Sequence, residues 1–146
     1  MTGQIENSKT EAADTRPDGF EALTLQASLT VNDIQRSLAW YRDVMGFAVT
    51  RKHEREGKLI AVSLRAGAVA MLITQDDGSK GFDRAKAEGF SMQLTTKQDI
   101  DTLARGIVER GGALSSEPTD YPWGVRAFRL QDPDGFRFVI SSERQG

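Results

Sequence analysis

The chain contains no cysteine, which excludes disulfides, thiol nucleophiles and thiolate-held metals and leaves its redox compartment open. Histidine is nearly absent. His53 stands alone, so multi-histidine metal centres and histidine-based acid–base schemes have almost nothing to work with. Charge of one sign is also missing: a formal net charge of −2 gives no electrostatic case for nucleic acid or an anionic membrane surface, and neither is expected as a partner. No apolar run approaches the roughly 20 residues of a membrane-spanning helix. The opening stretch MTGQIENSKTEAADTRPDG lacks the apolar core of a signal peptide, so a cytoplasmic location is expected. Gly78 and Gly81 have no Gly-Lys-Ser after them, and no Ser-His-Asp pattern is present. What remains is an ordinary globular composition, 38% hydrophobic and 27% charged, in 146 residues, enough for one domain or two small modules sharing a core.

What the chain does have is a repeat. Residues 33–47 read DIQRSLAWYRDVMGF and residues 99–113 read DIDTLARGIVERGGA. Each opens on Asp-Ile, runs through a helical pattern and reaches a glycine thirteen positions after the Asp, at Gly46 and Gly112. An alternating strand precedes each copy and further strands follow, so the spacing predicts a doubled β-α-β-β-β unit. The expected organisation is a flexible polar tail over 1–20, a first module over 21–75, a linker loop over 76–88 and a second module over 89–143. Most of the acidity belongs to the tail region, where five acids face two bases in residues 1–21.

In the first module Leu23, Leu25, Ala27, Leu29 and Val31 alternate with Thr24, Gln26, Ser28 and Thr30, the pattern of a strand with one apolar and one polar face. Asn32-Asp33 is suited to cap the helix that follows, on which Ile34, Leu38, Tyr41 and Met45 share a face with Trp40 beside it. Strands are expected over Phe47–Glu54, Lys58–Leu64 and Ala68–Thr74. In the second module Phe90, Met92, Leu94 and Thr96 form the buried side of a strand whose other side is Ser91, Gln93 and Thr95. Its helix carries Ile100, Leu103, Ile107 and Val108 as a stripe. A short strand near Leu114, the loop SEPTDYPWG, and a hairpin of Val125–Leu130 and Phe136–Ser141 across Asp132-Pro133-Asp134-Gly135 complete it. The fold class is α+β: two tandem β-α-β-β-β modules forming a curved mixed sheet around a cavity, helices outside. The polar strand faces either line that cavity or are the solvated side of antiparallel sheets.

The pieces LQASLTVNDIQRSLAWYRDVMGF, DIDTLARGIVERGG and FRLQDPDGFRFVI together resemble the vicinal oxygen chelate superfamily, which includes glyoxalase I, bleomycin-resistance proteins and extradiol dioxygenases. The resemblance covers about Ala22 to Ser142. It implies paired modules forming a cup, commonly in a homodimer. Metalloenzymes of that family place a ligand at one inward position on each of four strands. Counting from the motifs, those positions hold Gln26, Met71, Ser91 (or Gln93, if the loop before Asp99 is shifted) and Val139. Gln can ligate through its amide oxygen, but a thioether, a neutral hydroxyl and an isopropyl group do not complete a Zn, Ni or Fe site. No metal and no cofactor is expected.

The candidate ligand-binding set is therefore Gln26, Ser28, Ser91 and Gln93 as donors and acceptors, Met71 and Val139 as apolar walls, Trp123 as a stacking surface and Arg129 as a cation. Tyr121 and Trp123 sit in a Pro-containing loop that either closes over a ligand or is anchored by its own aromatics. Arg129 and Arg137 either face the hollow, where they would pair with an anionic or aromatic ligand, or are surface arginines on paired strands. His53-Glu54 reads as an exposed hairpin. Two functions follow: a metal-free protein that holds a planar or aromatic small molecule, or a lyase or isomerase using Gln26 and Gln93 to polarise and Arg129 to stabilise charge. The inner faces offer no evident general base, which favours binding.

Overall fold

Each half of the chain builds its own four-stranded mixed sheet. The computed structural model describes residues 19–144. The first sheet is ordered β1 (Ala27–Val31), β4 (Val69–Gln75), β3 (Lys58–Ala66), β2 (Ala48–Arg55); the second is β5 (Ser91–Thr96), β8 (Arg137–Ser142), β7 (Arg126–Gln131), β6 (Leu114–Asp120). In both, the first strand pairs parallel with the last and the other two pairings are antiparallel. The parallel pairing is what the intervening helix makes possible, because a parallel return needs a crossover. Helix α1 (Ile34–Ala39) starts where the Asp33 carboxylate accepts from the Gln35 and Arg36 amides; α2 (Ile100–Glu109) starts where Asp99 accepts from Thr102.

The first helix does not stop at Ala39. It widens into a π-helical turn over Trp40–Val44, in which the Met45 amide donates to the Trp40 carbonyl at 3.0 Å, and it ends at Gly46 with φ of 88°. The wider turn carries Tyr41, which is 0% exposed. Tyr41 meets Trp40 and Phe47 of its own module edge-on at 4.8 and 5.6 Å, and Phe138 of the other module at 5.9 Å. Leu29, Val62, Ile73 and Leu38 from the first module and Phe128, Leu130, Phe138 and Ile107 from the second belong to one continuous core. Alternation sets the opposite faces of both sheets polar: Ser28 and Thr30 in one, Ser91, Gln93 and Thr95 in the other.

Two buried carboxylates tie this arrangement together. Asp132 accepts the Tyr41 hydroxyl at 2.8 Å and the amides of Asp134 and Phe136 at 2.8 and 2.9 Å. Asp134, next along the same turn, accepts from the Asn32 amide at 3.1 Å. The β7–β8 turn of the second half thus holds the start of the first helix. Burial pushes both the Asp132 carboxyl and the Tyr41 hydroxyl above their ordinary values. Asp76, just after β4, works in the opposite sense. It accepts the Gly78 amide at 2.9 Å and pairs with Lys86 at 2.9 Å and Arg84 at 3.4 Å, and these hold its carboxyl down at about 2. Lys86 also donates to the Asn32 side chain, so the linker loop is pinned back onto the first module.

Two expectations change. The first strand begins at Ala27, not near Leu23, and Phe20, Leu23 and Leu25 project free at 94, 100 and 98% exposure. Ala27 is already opposite Met71, and β4 starts only at Val69, so the residues before Leu25 have no strand to lie beside. Residues expected in a loop, Ser116 to Asp120, continue β6. Pro118 is tolerated there because β6 is an edge strand, paired only with β7. The α+β fold of tandem β-α-β-β-β modules is as expected, its eight strands divided between two four-stranded mixed sheets. The tail expected over 1–20 lies outside the described residues except for Gly19 and Phe20. Among the described residues no helix is long and apolar enough to cross a membrane.

Tyr41→Phe removes one donor from a buried carboxylate and should destabilise the protein by about 1–3 kcal/mol, read from urea unfolding midpoints at unchanged slope. Acid should act through Asp76. Its folded value lies below its unfolded 3.8, so its contribution is present above pH about 4 and is lost as pH falls towards 2. Asp132 is shifted upward and opposes that trend. The melting temperature of Asp76→Asn should therefore fall less than that of wild type between pH 5 and pH 2.5; parallel curves would refute this assignment.

Candidate functional site

The polar face of the second sheet is assembled by register. Ser91 lies opposite Arg137, Gln93 opposite Val139, Arg129 opposite Val139, and Ser116 opposite Arg129, so these side chains share one surface. A cavity of about 770 Å³ opens on this surface. Its walls are Gly89, Phe90 and Ser91 at the start of β5, Ser115 and Ser116 of β6, Arg129, Leu130 and Gln131 of β7, Arg137, Phe138 and Val139 of β8, and Tyr121 from the loop after β6. That volume lies within the range of sites for drug-sized molecules.

The loop is built as a rigid post. The Tyr121 amide donates to the Val125 carbonyl at 2.8 Å and the Gly124 amide to the Tyr121 carbonyl at 3.1 Å, with Gly124 at φ 93°. Only a residue free to adopt left-handed backbone closes the turn this tightly. Its base is clamped by Arg126, which meets Asp101 on α2 at 2.9 Å and Asp120 at 3.0 Å. The Arg126 guanidinium holds the Asp101 carboxyl below its usual range. On this post Tyr121 and Trp123 stack at 4.9 Å with 21° between their planes.

The expected site residues separate on this geometry. Ser91, Arg129 and Val139 stand together in the cavity wall. Gln93 is on the same face, opposite Val139, but beyond the lining. Trp123, 55% exposed, backs Tyr121 and does not itself line the cavity. Gln26 and Ser28 belong to the other sheet's side of the chain, where Gln26 precedes β1, and neither reaches this cavity. Met71 is a correction. It is 3% exposed and lies between Ala27 and Leu64 on the core face, while Leu72 lies opposite Ser28 on the polar face. A one-residue offset in counting along a strand moves a side chain to the opposite face, and the offset arises at the tight β3–β4 turn around Gly67. His53 is half-buried on β2, opposite Ala61, rather than at the hairpin tip.

Tyr121 and Arg137, each open to two readings in the sequence, both line the cavity; Phe90 and Gln131 line it as well and are not among the expected site residues. For Arg137 the signal was available, since it shares parity with Val139 on the same strand. For Tyr121 there was none, because which ring of a loop pair faces inward depends on the turn.

The donor set does not fit a divalent metal. With Leu72 in place of Met71, the four strand positions offer Gln26, Leu72, Ser91 or Gln93, and Val139, at most two neutral amide oxygens among groups that do not ligate at neutral pH. Among the described residues no three His, Asp or Glu side chains come together as a metal site.

Known proteins agree with this architecture. A catechol-2,3-dioxygenase from Bacillus subtilis (strain 168) is 26% identical over 121 residues, 81% of this chain, and the chain spans 40% of that enzyme's length. TioX from Micromonospora sp. ML1 superposes with a TM-score of 0.68 at 17% identity, over 83% of this chain and 98% of TioX. TnmS3, an antibiotic binding protein from Streptomyces sp. CB03234, superposes with a TM-score of 0.62 at 20% identity, over 84% of this chain and 98% of its own. Residues 24–140 match the sequence profile of one family, and the chain belongs to it: the Glyoxalase/Bleomycin resistance protein/Dioxygenase superfamily.

Proposed function

We propose that this protein binds a planar or aromatic small molecule, without a metal, in the cavity on the polar face of the second sheet. The observation that carries this is the Tyr121–Trp123 stack standing over a cavity whose floor supplies serine hydroxyls, a glutamine and two arginines. A flat ring gains contact area on such a stack at little entropic cost, and the polar floor fixes its orientation. The fold likeness to TnmS3, an antibiotic binding protein, supports the same reading. The lining residues include no histidine, aspartate or glutamate, so the wall itself lacks a general base for lyase or isomerase chemistry.

The binding unit is a homodimer in this reading. Phe20, Leu23 and Leu25 are apolar side chains almost wholly in water, Val69 is 39% exposed, and β1 and β5 are sheet edges. A second copy is the economical cover for both. Light scattering should give twice the chain mass at micromolar concentration, and Leu23→Asp/Leu25→Asp should shift it to the monomer. A wild-type monomer would remove this part of the proposal.

Binding is tested by native mass spectrometry of whatever co-purifies, followed by titration of a library hit. Tyr121→Ala should weaken the hit by about 1–3 kcal/mol, the scale of a lost buried aromatic contact. Trp123 emission should change on saturation in wild type, and the change should vanish in Trp123→Phe, which leaves Trp40 as the remaining indole. Unchanged affinity in Tyr121→Ala would place the ligand elsewhere.

A further inference from the structure

The cavity has a charge of its own that the chain as a whole does not. The full sequence carries a net −2, yet the cavity walls contain two arginines and no carboxylate. Arg129 and Arg137 sit on adjacent strands and on the same face. Arg129 is opposite Val139 and Gln131 is opposite Arg137, which makes the two arginines diagonal neighbours, about 7–8 Å apart at the backbone. Each is exposed to the cavity side of the sheet. Three arginines elsewhere are neutralised by acids, Arg42 by Asp43, Arg84 by Asp76, and Arg126 by Asp101 and Asp120; the two in the cavity wall are not. Among the described residues Arg137 has only a carbonyl, donating to Phe90 at 3.2 Å, and Arg129 has neither a hydrogen bond nor an ion pair. Two like charges held at this spacing repel, and an anion set between them relieves that repulsion while accepting from both forks.

We propose that the ligand of this cavity is an aromatic anion: a flat ring bearing a carboxylate or an equivalent oxyanion, with the ring against Tyr121 and the anionic group between Arg129 and Arg137. The proposal rests on the cavity being the small-molecule site and adds the charge class of its ligand. Ser91 and Ser116 border the same arginines through strand pairing and supply hydroxyl donors to the remaining oxygen lone pairs. Cationic ring systems are disfavoured by the same two charges, so the cavity discriminates by repulsion as well as attraction.

Three probes share one ring and differ only in charge: 2-naphthoate, 2-naphthamide and 2-naphthylmethylammonium. Calorimetric titration of the full chain should rank them in that order, with the acid about tenfold or more tighter than the amide, as charge-assisted hydrogen bonding requires. The acid's advantage should shrink with added salt. In Arg129→Gln/Arg137→Gln the acid should lose its advantage over the amide, so that the two bind alike. Arg129→Lys keeps the charge but loses the fork, and should fall between. The variants' melting temperatures and circular dichroism establish that they fold, and the Lys variant carries the test should the double variant not fold. Equal binding of acid and amide to wild type, with both weakened by Tyr121→Ala, would overturn the anion assignment and leave the small-molecule site standing. No binding of any probe at millimolar concentration, or binding indifferent to Tyr121→Ala, would overturn the aromatic-anion assignment and count against the site itself.

Discussion

The hydrogen bond from the Tyr41 hydroxyl to the Asp132 carboxylate connects the two halves of this chain inside their shared core. Its donor sits on a π-helical turn of the first module and its acceptor on the β7–β8 turn of the second. A carboxylate in such a place is costly unless its lone pairs are filled, and here three donors fill them. The consequence reaches the cavity. Asp132 holds the turn between β7 and β8, the two strands whose register sets Arg129 and Arg137 diagonal to each other.

The sheet's two faces divide the labour. Phe128, Leu130, Phe138 and Ile140 bury against the helices, while Arg129, Arg137 and Val139, interleaved with them, face the cavity. The strand pair is therefore packed on one side and chemically specific on the other, with no loop needed to position the arginines. The loop contributes what a strand cannot, a ring standing over the floor, and the Arg126 clamp to Asp101 and Asp120 keeps that ring's support from drifting.

Most of the fold was legible because the signals are local and repeated. The Asp33 and Asp99 caps, the glycine thirteen residues on, and the Asp-Pro-Asp-Gly turn each state a backbone event in a few residues, and the two capped helices and the β7–β8 turn stand at those residues. The site was legible only in part. Ser91, Arg129 and Val139 follow from strand parity alone and stand together. Met71 failed because parity must be counted through a turn, and one residue of error there inverts the face. Gln26 and Ser28 were read as lining the same hollow as Ser91; whether two sheets share a hollow is a matter of how modules pack, which no periodicity records. Leu23 alternates with the strand as well as any residue, yet pairing also requires a partner of sufficient length, and β4 begins too late to lie beside it.

The two glycines that mark the repeat show how far the halves have parted. Gly46 has φ of 88° with open space where a Cβ would go, whereas at Gly112 a Cβ would stand 2.6 Å from Ile107 and 2.8 Å from Val44 of the other module. The first is constrained by dihedral angle and the second by volume. Asparagine, which tolerates left-handed backbone, suits the first position and not the second. The same letter at matching places in a repeated chain thus answers to two unrelated physical constraints, and a substitution that one half accepts is not thereby accepted by the other.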